Sequence, residues 1–226
     1  LHSMHAYFIL AGDLEMPLVY RVDLVRHRGS FTPRRVIAIQ KGRPIFILAA
    51  SFQLHQEGLH HQIKMPEVQG PEDLLSDHQI LDAIKDKFPK IYKAYYHDRP
   101  IEFRPVGGLR PLVEGDQDPY QYVWFRAKGE MPKDIRFQHQ VLTYASDYNL
   151  LTTATLPHKS EMLGKKRFLA SLDHAMWMHR DFDLNNWHLY ALDSPSASNA
   201  RGFTRGNIFN TEGVLVASVV QEGLIR

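Results

Sequence analysis

The sequence predicts an α+β fold made of two related units, in which antiparallel strands wrap around a long helix. The main observation is an internal repeat: His5-Ala6-Tyr7-Phe8 returns as His174-Ala175-Met176-Trp177, 169 positions later. Leu48–Gln53 likewise returns as Val216–Gln221, 168 positions later. The second observation is that predicted strands follow one another instead of alternating with helices. Two copies indicate a duplicated domain, because a solenoid needs at least three repeats.

The first copy, residues 1–54, predicts four strands. Apolar and polar residues alternate clearly over Val19–Val25, which is typical of a half-buried strand. Residues with turn-forming side chains separate the strands, at 11–13, 27–30 and 41–44.

A linker and a helix are predicted between the two copies. Residues 56–70 are polar and show no clear period, which is typical of a connecting segment. Ser76 is followed three residues later by Gln79, so the pair predicts a capping box and a helix that begins there. Pro89 ends the regular helical pattern.

The second copy differs from the first because a long helix precedes it. Apolar residues at helical spacing predict this helix at about 137–151. We expect two strands before the helix and four after it, at 101–106, 121–126, 168–180, 186–192, 200–209 and 214–222.

The composition excludes several classes of protein. With 44% hydrophobic and 23% charged residues, the chain is ordinary for a globular domain. Its net charge of +2 and the lack of a long basic stripe argue against nucleic-acid binding. The longest apolar run, about 44–52, is too short to span a bilayer, and no secretory signal pattern is visible. We therefore expect no membrane insertion and a cytoplasmic location.

Metal and nucleotide chemistry also find little support. The absence of cysteine excludes disulfides, cysteine nucleophiles and thiolate metal sites. Thirteen histidines are present, but none falls into a familiar metal-binding spacing. The sequence also lacks a Walker loop and a dinucleotide-binding glycine fingerprint. We expect neither a metal nor a cofactor.

Asp147 is the most informative candidate for catalysis. It falls inside the predicted helix among apolar neighbours, and a buried carboxylate is costly unless it is hydrogen-bonded or functional. The alternative is an exposed carboxylate that pairs with Lys or Arg on the solvent side. Spacing alone leaves both interpretations open.

Gln221 and Ser171 are the next candidates. Gln221 ends an otherwise apolar strand, so its amide needs a polar partner; the alternative is a polar strand end. Ser171 lacks the turn context of a serine nucleophile, which makes it a better water-positioning group than an attacking one. Strand alternation places Ser171 with Asp173, and His174 on the opposite face, so Asp173 and His174 are not expected to form a dyad.

Two further segments suit a phosphate-bearing ligand. Arg34 and Arg35 lie in a locally basic part of the first copy, which attracts small polyanions. Residues 196–202 combine small residues with Arg201 and Gly202, so backbone and guanidinium can approach a ligand closely. The alternatives are a soluble strand edge and a turn with a bulge.

Taken together, these segments resemble the acyl-CoA thioesterase II family over nearly the whole chain. The resemblance rests on six motifs in order, at 2–8, 50–53, 144–149, 171–177, 196–202 and 213–223. It implies a double hotdog fold, in which each antiparallel sheet wraps around one long helix. It also implies hydrolysis of acyl-CoA to free acid and CoA, without a metal or nucleotide cofactor.

The resemblance implies that an Asp, a Thr or Ser, and a Gln together hold a water molecule. By motif these are Asp147, Ser171 and Gln221, all in the second unit. We expect three regions: an incomplete first hotdog at 1–55, a linker with a helix at 56–98, and a catalytic hotdog at 99–226. Family members carry a strand and a helix before the motif at which this chain begins. The first unit is therefore expected to lack its helix and to expose an apolar face.

The expected partner is an acyl-CoA substrate, and we expect a homodimer or homotetramer. Two alternatives remain open within the same fold: an enoyl-CoA hydratase, and a non-catalytic acyl-CoA binding protein. The hydratase is disfavoured because an Asp and His pair is not evident on the predicted helix.

Overall fold

The computed structural model describes residues 1–26, 29–162, 165 and 167–226 of the chain. The strands found there are β1 Ser3–Phe8, β2 Val19–Asp23, β3 Phe31–Gln40, β4 Arg43–Gln53, β5 Ile101–Pro105, β6 Tyr120–Ala127, β7 Leu169–Ser171, β8 Asp173–Met178, β9 His188–Ser198, β10 Arg201–Asn210 and β11 Leu215–Ile225. The helices are α1 Asp77–Ile84, α2 Pro89–Tyr95, α3 Ile135–Ser146, α4 Leu150–Thr153 and α5 Lys159–Met162. None of these helices is long and apolar enough to cross a membrane.

All described strands belong to one antiparallel sheet, in which the corresponding strands of the two copies follow one another in opposite order. The order is β2-β3-β4-β1-β8-β11-β10-β9-β6-β5, with β7 paired to β11. The first copy supplies β2-β3-β4-β1, and the second supplies β8-β11-β10-β9 in reverse order. The repeated segments lie on β1 and β8, which pair directly: His5 lies opposite Ala175, and Ala6 opposite His174. The internal repeat is therefore a structural duplication, joined at one seam.

The four strands predicted for the first copy are confirmed. Lys41 and Gly42 both have positive φ, at 51° and 73°, and form the tight turn between β3 and β4. The predicted turn at 27–30 includes His27 and Arg28, which lie outside the described residues. No helix is found among the described residues of 1–54, and many large apolar side chains are exposed there, including Tyr7, Phe8, Val19, Tyr20 and Val22.

The linker is not a loose connection, because it packs across one face of the part of the sheet that the second unit forms. Trp124, Trp187, Leu189 and Phe209 form a buried cluster on that face, against which the linker residues Met65, Val68 and Leu74 pack. The Trp124 indole donates to the carbonyl of Gln69 at 2.8 Å, which ties the linker to β6. The capping box at Ser76 and Gln79 is confirmed, and α1 begins directly after it.

The opposite face of the second sheet packs on α3 and forms the main core. Asp134 caps the N-terminus of α3 by accepting a hydrogen bond from the Arg136 backbone N–H. The predicted helix at 137–151 is wrong at its C-terminal end, because α3 stops at Ser146 and α4 starts at Leu150. Asn149 has a φ of 71°, a left-handed conformation that interrupts the helix. Asp147 consequently lies at the end of α3 instead of in its interior.

The predicted strand at 168–180 is divided into β7 and β8. Ser171 lies opposite Gly223 of β11, whereas Met176 lies opposite Val219. Val219, Gln221 and Gly223 alternate along β11 and therefore share one face. Ser171 and Met176 are five positions apart, so a continuous strand would place them on opposite faces. An irregularity at Leu172 brings Ser171 onto the same face as His174 and Gln221, so the predicted separation of Ser171 from His174 is wrong.

Three glycines of the second sheet allow elements to pack closely above it. A β-carbon at Gly206 would overlap the ring of Tyr190, which is fully buried. A β-carbon at Gly202 would overlap Ala154, and one at Gly223 would overlap Leu151 of α4. These positions require glycine because of space, not because of their backbone angles.

We expect Gly206→Ala to lower the free energy of unfolding by about 1–3 kcal/mol, because the added methyl group overpacks the core against the Tyr190 ring. Urea unfolding measures this change. Gly58→Ala is the matched control, since no atom lies near its β-carbon position, and its effect should stay within about 0.5 kcal/mol. Equal stabilities of the two variants would contradict the packing described here.

Candidate active site

The end of α3 meets β8 and β11 in a cluster of polar side chains. Asp147 comes from the C-terminal end of α3, His174 from β8 and Gln221 from β11. His174 is 3% exposed and Gln221 is 1% exposed, whereas the Asp147 side chain is 54% exposed. The cluster therefore has a buried base and a carboxylate at its solvent-facing rim.

Gln221 and Asp147, predicted separately from the sequence, are in direct contact. The Gln221 amide Nε2 donates to Asp147 Oδ1 at 2.6 Å. The polar partner expected for Gln221 is thus the candidate carboxylate itself. Of the two interpretations of Asp147, the buried one is wrong, because the helix ends before it and leaves its side chain accessible. The exposed interpretation holds without its ion pair, since no Lys or Arg of the described residues pairs with Asp147.

His174 connects this pair to Ser146 of α3. Its Nε2 lies 2.9 Å from Ser146 Oγ, and the Ser146 hydroxyl donates to the Thr143 carbonyl at 2.8 Å. Because a hydroxyl has one hydrogen, Ser146 must accept from His174, which places the ring proton on Nε2. His174 Nδ1 is then an acceptor, and the Gln221 amide nitrogen lies 3.5 Å from it. Burial lowers the pKa of His174, against the opposing charges of Asp147 and Asp173, and so favours this neutral form.

The orientation of the Gln221 amide follows from its two acceptors. Asp147 Oδ1 and His174 Nδ1 both face the NH₂ group, so the carbonyl oxygen must point away from them. This Gln221 Oε1 is buried and has no hydrogen-bond partner among the described groups. A buried acceptor without a partner is costly, and here it lies beside an accessible carboxylate. The accessible Asp147 carboxylate, held by Gln221, is suited to accept a hydrogen bond from a small donor such as water.

Comparison with known proteins identifies the family. The model of the acyl-CoA thioesterase family matches residues 93–224, and the model of the acyl-CoA thioesterase N-terminal domain matches residues 1–53. Acyl-CoA thioesterase 2 of Haemophilus influenzae is 39% identical over 227 residues, covering 100% of this chain and 79% of that protein. The chain belongs to the acyl-CoA thioesterase family.

Other members of the acyl-CoA thioesterase family agree with this result. Acyl-coenzyme A thioesterase 8 of Mus musculus is 40% identical over 236 residues, covering 100% of this chain and 72% of the relative. The crystal structure of an acyl-CoA thioesterase II, TesB2, of Mycobacterium marinum superposes with a TM-score of 0.81 at 39% identity, covering 100% of this chain and 80% of the other. The fold is therefore the double hotdog that the sequence resemblance implied.

Ser171 lies on the same face of the sheet as Gln221. It is on β7, opposite Gly223, which is two positions beyond Gln221 on β11. No hydrogen bond joins its hydroxyl to Asp147 or Gln221 within the described part of the chain. The Asp147–Gln221 contact is thus direct, whereas a contribution from Ser171 stays a prediction. Asp173 accepts from the Glu222 backbone N–H at 2.7 Å and so stays apart from His174, as the alternation predicted.

The arginines predicted to bind the substrate form ion pairs or hydrogen bonds within the protein. Arg201 forms an ion pair with Glu222 at 2.8 Å, and Arg35 forms one with Asp23 at 2.6 Å. Arg34 Nη1 donates to the Arg26 carbonyl at 2.8 Å. Arg34 and Arg35 point to opposite faces of β3 by alternation. The packing of Gly202 against Ala154 accounts for its small size, so a role of Gly202 or these arginines toward a ligand stays a prediction.

His174 and Ser146 are the members of the cluster that sequence reasoning missed. Both lie in the motifs that carry the family resemblance, but alternation along an unbroken strand separated His174 from Ser171. In the described part of the chain, no group of three or more His, Asp or Glu side chains is placed to hold a metal ion.

We expect the His174 ring to carry its proton on Nε2 and to have a lowered pKa, because burial opposes its protonation. Long-range ¹H–¹⁵N NMR of ¹⁵N-histidine protein measures the tautomer and titration, and the loss of one signal in His174→Gln assigns the ring. An Nδ1–H tautomer, or a His174 pKa raised above the ordinary value for histidine, would contradict the proton assignment.

Proposed function

We propose that the protein hydrolyses fatty acyl-CoA thioesters to a free fatty acid and CoA, with a water molecule activated by Asp147. The observation that carries the mechanism is the 2.6 Å hydrogen bond between Gln221 and Asp147. Family membership supports the class of reaction, and the relatives named above are acyl-CoA thioesterases.

Asp147 acts as the general base. It accepts a proton from water while the water oxygen attacks the thioester carbonyl carbon. The tetrahedral intermediate then collapses, the C–S bond breaks, and the proton returns to the CoA sulfur. A thioester carbonyl is already a good electrophile, so the reaction needs no covalent enzyme intermediate. General base catalysis of this kind contributes about 10²–10⁴-fold to a rate.

Gln221 and Ser171 position the water. The amide NH₂ of Gln221 holds Asp147 Oδ1, which leaves Oδ2 for the water. The Ser171 hydroxyl, on the same face, supplies a second contact to the water. Holding the water in a reactive orientation lowers the activation barrier of hydrolysis, because less entropy is lost in the reaction step.

The CoA end of the substrate carries phosphates, which suit basic side chains. Arg201 lies at the start of β10, beside the end of β11 that follows Gln221. We assign it to phosphate contact, with exchange of its Glu222 partner for a substrate phosphate on binding. Arg34, Arg35 and the Gly202 backbone are further candidates for substrate contact.

The protein is proposed to act in the cytoplasm as a homodimer or homotetramer. Support for association comes from the exposed apolar side chains of β1 and β2, because large exposed apolar areas mark interaction surfaces. Light scattering coupled to size-exclusion chromatography measures the subunit number, and a monomer at micromolar concentration would contradict this part of the proposal.

A thiol-release assay over a series of acyl chain lengths tests the proposed reaction directly. Free CoA should appear in proportion to acyl-CoA consumed. An enoyl-CoA hydratase would instead remove the enoyl absorbance without releasing thiol. A binding protein would leave the ester intact.

We expect Asp147→Asn to lower kcat by about 10²–10⁴-fold, since the amide cannot accept the proton of water. Steady-state kinetics with the acyl-CoA that wild type uses best measures the loss. Asp86→Asn is the control, because it removes an exposed carboxylate distant in sequence from the cluster. Wild-type turnover by Asp147→Asn would eliminate Asp147 as the base.

The role of Ser171 is tested by a pair of substitutions. Ser171→Thr should retain most of the activity because it keeps the hydroxyl, whereas Ser171→Ala should lower kcat by about tenfold or more through loss of one water contact. KM should change little in both variants. Equal activity of the Ala and Thr variants would remove Ser171 from the mechanism.

A further inference from the structure

A cavity whose lining does not include Asp147, His174 or Gln221 lies at the β5 edge of the second unit. It has a volume of about 470 Å³ and is lined by the linker helices α1 and α2, the edge strand β5 and the residues that follow α3. Its volume falls within the range of about 300–1,000 Å³ that is typical of small-molecule sites. The proposed mechanism does not use this cavity.

The cavity and the Asp147 cluster are formed by different residues, although they adjoin in sequence. Tyr148 and Asn149 line the cavity, whereas Asp147, the preceding residue, turns toward β11 and Gln221. Tyr148 packs against Phe103 of β5, at the opposite end of the second unit's strand order from β8. Neither Asp147 nor Gln221 is among the residues that line the cavity.

The walls suit an apolar chain. Leu81, Ile91, Phe103, Leu109, Val123 and Leu156 contribute to the lining. Leu81 is 1% exposed, so one end of the cavity is closed off from solvent by α1. The five residues of β5, which run along one wall, span about 16 Å. Such a length accommodates an extended chain of medium length.

Several basic side chains line the cavity, and two of them stand next to each other. Arg99 also lines the cavity, but its guanidinium pairs with Asp77, and both side chains are more than nine-tenths buried. Arg110 and Lys159 adjoin each other, since Lys159 Nζ donates to the Arg110 carbonyl at 2.9 Å. Within the described part of the chain, neither forms an ion pair with a carboxylate. Burial lowers the pKa of both groups, and for Lys159 the charge of Glu114 opposes this shift. An anionic ligand would offset the cost of burial further.

We propose that this cavity binds a medium-chain fatty carboxylate, with the carboxylate at Arg110 and Lys159 and the chain extending over Phe103 toward Leu81. Such a ligand is the acid that the proposed reaction releases, yet this site is separate from the hydrolytic one. The linker helices α1 and α2 cover the ligand, so binding stabilises the packing of the linker on the second unit.

Calorimetric titration of the full chain with decanoate tests the site without any turnover. We expect one decanoate per chain, at least tenfold weaker binding of decanol, and at least tenfold weaker binding of decanoate by Arg110→Met and Lys159→Met. Ala94→Trp, which fills the cavity from its exposed rim, should abolish binding. Lys90→Met is the matched control on α2 and should bind like wild type. The comparison of decanoate with decanol uses wild-type protein, so it is decisive even if a variant misfolds.

The same titration with Gln221→Leu separates this site from the hydrolytic one. Binding should be unchanged in that variant. Absence of saturable binding, equal binding of decanol, or loss of binding in Gln221→Leu with retention in Ala94→Trp would overturn the proposal. Lys159→Met should retain thiol release, so failure of this site leaves the proposed hydrolysis independently testable.

Discussion

The burial of the Gln221 amide is the constraint on which the proposed site depends. β11 is covered on one face by α3 and α4, and Ala217, Val219, Gln221 and Gly223 are all buried on that face. A primary amide in this position must find two acceptors for its NH₂ group. It finds Asp147 at the end of α3 and His174 on β8, and these contacts determine where its carbonyl oxygen points. The reactive geometry is therefore a consequence of satisfying one buried polar group.

The duplication accounts for the sheet around Gln221, and a difference between the two copies accounts for the position of the site in the second unit. β4 and β11 occupy equivalent places in the sheet order, next to the paired strands β1 and β8. Gln53 is the counterpart of Gln221, but it is exposed. In the described part of the chain, only the second unit places a helix over this face. A carboxylate can be delivered to the strand-end glutamine only where such a helix ends beside it.

Much of this arrangement could be predicted from the sequence. The four strands of the first copy, the capping box at Ser76 and the need of Gln221 for a polar partner all followed from local patterns, because those patterns reflect nearest-neighbour chemistry. The interruption at Asn149 and the irregularity at Leu172 could not be predicted, because both depend on packing between distant segments. These two backbone features decide that Asp147 is accessible and that Ser171 shares a face with His174. Local patterns therefore predicted most of the elements correctly, but not the breaks within two of them that orient Asp147 and Ser171.

A double-mutant cycle between Asp147→Asn and Gln221→Leu tests the central claim most directly. If Gln221 acts by holding Asp147 and its water, the two residues form one functional unit, and their losses are strongly non-additive. The account predicts that the kcat of the double variant for acyl-CoA hydrolysis falls within about threefold of Asp147→Asn alone. Losses that multiply, as for two independent residues, would contradict it.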